Sequence, residues 1–251
     1  MRILVLNPNT SEGITARLVA AAEKAVAPGT QIVPLTAPRG FPYIATRAEA
    51  QVGGAVALEM LAQHHQGFDA AIIAAFGDPG LFAARELFDL PVVGMAEASM
   101  LTACMLGRRF AIVTFARALG PWYEECVESH GLKGRLAGIR MLDSAFASVS
   151  DVQEEKEELL VELANRAVTD DEADVVILAG APLAGLAERV KDRIPVPVVD
   201  QMAAALKQAE ALATLKVRKA TAGTFRRPAA KTTIGLSAEL ARRFEHGEGK
   251  P

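Results

Sequence analysis

The sequence predicts an α/β fold of two pseudo-symmetric lobes, each a mainly parallel sheet flanked by helices, with a ligand cleft between them. Three observations lead there. Eight short apolar runs alternate with helix-length segments. The runs are apolar at nearly every position, as in strands covered on both faces. The second half of the chain repeats the order of the first.

The first run, "RILVLNP" (2–8), ends in Asn and Pro, and "SEGITARLVAAAEKAVA" after it carries apolar residues at helical spacing. "TQIVPLTA" (30–37) is the second run, followed by the helical pattern "AEAQVGGAVALEMLAQHHQ". "DAAIIAAF" (69–76) stops at Gly77-Asp78-Pro79, and "LPVVGMA" (90–96) leads into a helix expected near Ala98. The later strands are "RRFAIVTF" (108–115), "LAGIRML" (136–142), "DVVILAGAP" (174–182) and "VPVVDQ" (196–201). Between the sixth and seventh lies the helical "DVQEEKEELLVELANRAVTDDEA".

The halves align. Asp69 matches Asp174 and Ala75 matches Gly180, both 105 positions apart (174 − 69 and 180 − 75), and Arg2 matches Arg109. A repeat of this length is a duplicated α/β lobe, since solenoid units are far shorter. The bland alternative is that all βαβ units look alike. Duplication divides the chain into lobe 1 (1–100 plus about 205–235), lobe 2 (101–204) and a loose polar tail (236–251). Ligands of open α/β sheets bind at the carboxyl ends of strands, so the two lobes present Ala75 and Gly180 to each other across one cleft. Such a cleft suits inversion of a stereocentre, in which one group removes a proton and another returns it from the opposite face.

With 251 residues, 51% hydrophobic and 23% charged, the chain can bury a sizeable core. A net charge of −3 with scattered Lys and Arg excludes a nucleic-acid stripe. The amino-terminal apolar core is short for a signal peptide, and no run approaches the ~20 residues of a membrane span. Cys104 and Cys126 form no CxxC or ligand spacing and are expected to pack inside helices. The expectation is a cytoplasmic protein with a small-molecule ligand and neither nucleic acid nor membrane as partner. No phosphate loop, GxGxxG or His-rich constellation is present, so no cofactor or metal is implied.

Four motifs, "NPNT" (7–10), "FGDPGL" (76–81), "PVVGMAEA" (91–98) and "GAPLAG" (180–185), resemble the aspartate/glutamate/hydantoin racemase family, most closely its hydantoin and allantoin racemase branch. The likeness covers roughly residues 2–235 in colinear order. It implies an isomerase that inverts or deprotonates a carbon next to a carbonyl in a hydantoin, ureide or amino-acid derivative, and a homo-oligomer. It also implies two cysteines at the paired strand tips as the acid/base pair, a role that suits a thiol with its ordinary pKa of ~8.5. This chain carries Ala75 and Gly180 there. Three explanations stand: an engineered replacement, a natural branch using other groups (a racemase, lyase or decarboxylase), or a binding protein without chemistry.

Each candidate residue has two readings. Asn7 and Thr10 either hold a ligand carbonyl or carboxylate, or belong to the cap of the first helix. Phe76 and Gly77 shape the first wall; Asp78 is either an acid/base or a helix cap before Pro79. Gly180, Ala181 and Pro182 form the second wall, where a residue without a side chain either frees main-chain N–H groups for a developing enolate or makes room. Glu97 is the preferred base, with an ion pair or first-turn acid as its alternative. Tyr43 offers a phenol donor or packs, and Thr114 is a donor at the tip of the second lobe's first strand. His130 reads as a helix-end residue and Asp200 as a helix cap.

Overall fold

In the computed structural model, which describes residues 1–143 and 151–247, all eight expected strands form. The first half runs β1 (Arg2–Asn7), α1 (Glu12–Glu23), β2 (Gln31–Thr36), α2 (Arg47–His64), β3 (Ala70–Ile73), α3 (Leu81–Leu87), β4 (Val92–Gly94) and α4 (Met95–Leu106). The second runs β5 (Phe110–Thr114), α5 (Gly120–Ser129), β6 (Leu136–Met141), α6 (Val152–Asp171), β7 (Val175–Ala179), α7 (Leu186–Val190), β8 (Val198–Asp200) and α8 (Gln201–Leu215); α9 (Ala238–Glu245) follows.

Each half makes a four-stranded parallel sheet, ordered β2-β1-β3-β4 and β6-β5-β7-β8. The duplication holds in register: Ile3 pairs with Ala70 in one sheet and Phe110 with Val175 in the other. It also holds in the locks at the strand starts. Asp69 takes the Arg2 N–H, and Asp174 takes those of Arg108 and Arg109.

Strand alternation divides the first sheet's faces. Leu4, Leu6, Ala71 and Ile73 pack under α2 and α3, whereas Ile3, Val5, Ala70 and Ile72 join the core shared with the second half. Two helices tie the halves together. α4 leaves β4 yet packs on β7, and α8 leaves β8 yet packs on β3 and β4; the two also pack on each other. The expected divisions at 100/101 and near 205 therefore fall inside α4 and α8, so both helices belong to the junction.

The tail expectation needs correction. Ser237 caps α9, Leu240 is buried, and Phe244 packs with it against α2. Two apolar residues four apart give this short helix one sticky face, enough to dock it. Residues 248–251 lie outside the described residues. Before α9 the arm runs over the first half, where Lys219 donates to the Arg85 carbonyl and Phe225 meets Phe82. Among the described residues no helix is long and apolar enough to cross a membrane.

Candidate active site

The central strands of both sheets point their carboxyl ends at one place. Asn9 follows β1, Ala75 follows β3, Phe115 follows β5 and Gly180 follows β7, and all four line a single cavity. The expected pairing of Ala75 with Gly180 is thus observed, with Phe76, Ala181 and Pro182 beside them. Tyr43 and Ile44 from the loop before α2, and Trp122 and Tyr123 from α5, close the space.

Aromatic rings fill most of it. Tyr43 lies 5.6 Å from Phe115, Phe76 4.7 Å from Tyr123, and Trp122 5.6 Å from Tyr123, centroid to centroid. About 20 Å³ remains, room for roughly one water.

Gly180 has φ +109, and a Cβ there would fall 2.6 Å from Phe115 Cε1. Only glycine takes this conformation without strain. Its main chain is not open for a ligand, which corrects one of the expectations above. The N–H donates to Gln201 Oε1 at 3.0 Å, and the carbonyl accepts from Gln201 Nε2.

Tyr43 is the polar group left over. Its hydroxyl is buried and has no hydrogen-bond partner among the described residues. Burial, aided by the Glu49 charge, pushes the phenol far above its usual range, so it is neutral and a donor. Burial raises Tyr123 too, although its hydroxyl bonds Thr114.

Other expected ligand contacts lie elsewhere. The Asn7 amide is spent on Asn9, Ser11 and Thr15, fixing the turn into α1, whose cap is Ser11. Thr10 donates its N–H to the Phe41 carbonyl and does not line the cavity. Thr114 is buried and donates to the Ala179 carbonyl at 2.9 Å, bridging β5 and β7. Gly77, with φ +104, turns away under the Trp122 ring.

The two carboxylates named as acid/base candidates sit behind that turn, outside the cavity lining. Asp78 caps a helix other than its own: Oδ1 accepts from Ala96 N–H and Oδ2 from Glu97 N–H, both at 2.8 Å, at the start of α4. Helix α4 begins at Met95, earlier than expected, so Glu97 is its first-turn acid. The Arg85 guanidinium clamps Glu97 with two bonds. Burial works against the Glu97 charge, but His130 and Arg85 outweigh it and hold the carboxyl at about 2. A carboxylate so stabilised is a poor base.

His130, at the end of α5, completes this cluster. Nε2 lies 3.4 Å from Asp78 Oδ2, and Nδ1 lies 3.4 Å from Glu97 Oε1. Burial disfavours the imidazolium, yet Asp78, Cys126 and Glu97 together raise its pKa to about 11. Burial raises Asp78, opposed by His130 and the two amides, and raises Cys126 to about 11. Cys126 is buried in the core, as expected, and it also borders a cavity. Trp122, Cys126 and His130 recur every four residues, so one face of α5 presents all three to a second cavity of about 500 Å³. That spacing was a readable signal for a site that residue-by-residue inspection missed.

The family model described as Asp/Glu/Hydantoin racemase matches residues 3–209. A hydantoin racemase from Paenarthrobacter aurescens is 34% identical over 233 residues, covering 92% of this chain and 99% of that protein. One from Pseudomonas sp. (strain NS671) is 33% identical over 243 residues, covering 96% and 98%. The solved structure of allantoin racemase from Klebsiella pneumoniae superposes with a TM-score of 0.89 at 33% identity, covering 96% of this chain and 98% of that one.

Proposed function

Because the chain belongs to the Asp/Glu/hydantoin racemase family, we propose that it exchanges and inverts the proton on a carbon next to a carbonyl in a hydantoin, ureide or amino-acid derivative. One observation carries this reading: Ala75 and Gly180, the paired strand tips, face the same cavity, and an unpartnered phenol faces it too. Losing the α-proton leaves an enolate whose oxygen needs a donor. Tyr43 supplies one from a buried site, where such a bond is strongest. With no thiol, carboxylate or imidazole lining the cavity among the described residues, water carries the proton to and from carbon. The rate then falls short of a two-thiol enzyme by the ~10²–10⁴-fold that positioned acid–base groups give.

The absence of an ionisable side chain at either tip favours a second reading, ligand binding without chemistry. Incubating optically active 5-substituted hydantoins and allantoin in deuterated water separates the two. Deuterium uptake with loss of optical rotation, reduced in Tyr43→Phe, supports the proposal. Saturable binding without exchange supports the second reading and removes the first. Two free cysteines support a reducing, cytoplasmic setting, and homo-oligomerisation rests on the family resemblance alone.

A further inference from the structure

We propose that Asp78, Cys126 and His130 form a binding site for one divalent cation of the zinc type, opening onto the cavity of about 500 Å³ beside the cleft. The sequence implied no metal because its three ligands come from two distant segments, the turn after β3 and the end of α5.

Their ligand atoms all lie within 4.8 Å of one another. His130 Nε2 and Asp78 Oδ2 are 3.4 Å apart; two atoms bound at about 2.0–2.1 Å to a tetrahedral zinc stand roughly 3.3 Å apart. Sulfur, nitrogen and carboxylate oxygen together are a zinc-type donor set.

Two of the three ligands are also held from behind. The two amides at the start of α4 fix Asp78. Glu97 faces His130 Nδ1 and is itself clamped by Arg85. A carboxylate on the far ring nitrogen is the usual partner of a metal-bound imidazole, because it sets the tautomer and orients the ring. Phe82 packs on the same imidazole at 5.2 Å. Gly77, Trp122 and Ser129 line the cavity beyond, leaving a fourth position to water or a small anion.

A cysteine nucleophile with a His–Asp base is the other chemistry these residue types suggest. His130 hydrogen-bonds Cys126, yet both its nitrogens also face carboxylates that hold the ring as the cation, which has no lone pair to take the thiol proton. Metal loading has no such conflict. The Cys126 thiol proton and the His130 Nε2 proton leave as one divalent ion enters, and the formal charge of the cluster is unchanged.

The test is a titration of the full-length, chelator-stripped chain with Co²⁺, followed by Zn²⁺. Expected are one equivalent of cobalt, tetrahedral visible bands, a near-ultraviolet thiolate-to-cobalt band, and displacement of all of these by zinc. Cys126→Ser, with wild-type unfolding temperature in chelator, should lose the thiolate band; Cys104→Ser should keep it. His130→Gln should weaken binding ~10-fold or more, and shifted imidazole protons in the wild-type cobalt protein report the same ligand without a variant. No stoichiometric uptake, no shifted imidazole signal, or a thiolate band that survives Cys126→Ser would overturn the proposal.

Discussion

Asp78 occupies the space that Gly94 leaves open. A Cβ on Gly94 would overlap the Asp78 carboxyl group and stand 2.6 Å from Leu81 Cδ2. In the second half, Asp200 holds the register position that corresponds to Gly94 and caps α8 with its own carboxylate, as its place in the sequence suggested. The two halves satisfy equivalent helix ends from different positions. Borrowing the cap from Asp78 is what brings a carboxylate to His130.

Gly94→Ala should therefore destabilise the protein by about 1–3 kcal/mol through overpacking. Its φ of −88 suits alanine, so backbone strain contributes nothing. Urea unfolding midpoints measure the loss, and a midpoint unchanged from wild type would contradict this placement of Asp78.

Cysteine should be tolerated unequally at the two tips. Ala75 already has a Cβ, so Ala75→Cys adds one sulfur and should fold, raising proton exchange ~10²-fold or more if the cleft is the reaction site. Gly180→Cys meets Phe115 at positive φ and should lose about 1–3 kcal/mol. Pairing it with Phe115→Leu should recover part of that loss, as read by thermal unfolding and exchange rate together.

Gln201→Leu leaves the buried N–H of Gly180 without a partner, while its carbonyl keeps the Leu183 N–H. The expected cost is ~1–3 kcal/mol for that unpaired N–H. Gln201→Glu keeps the acceptor but sets a carboxylate oxygen against the Gly180 carbonyl. That variant should regain stability at low pH, where a protonated carboxyl can donate. Denaturant curves across pH test both variants.

Tyr43 makes a prediction at high pH. Its phenol is raised in the folded state, so above the ordinary value of ~10 the unfolded chain releases this proton first. The folded state then binds more protons, and stability falls as pH rises through that range. Tyr43→Phe should flatten the alkaline decline, Tyr123 accounting for part of what remains. An equally steep decline in the variant would mean that the phenol is not buried.

The fold was legible because strands buried on both faces read as unbroken apolar runs, and because the duplication repeats them in register. Residues 75 and 180 could be paired from the repeat alone. The rest depended on three-dimensional proximity. Nothing local says that Asp78 would cap α4, that Arg85 would neutralise Glu97, or that Gln201 would take both polar groups of Gly180. The docking of α9 was readable in the Ser237 cap and the Leu240–Phe244 spacing, but the charged residues around them masked it.

A crystal structure of the chain soaked with a 5-substituted hydantoin tests the central claim most directly. The account predicts the ring between residues 75 and 180, with Tyr43 bonded to a ring carbonyl and the Phe115 side chain moved to make room. A hydantoin bound only in the larger cavity near His130, with the space between 75 and 180 still filled by aromatic rings, would contradict it.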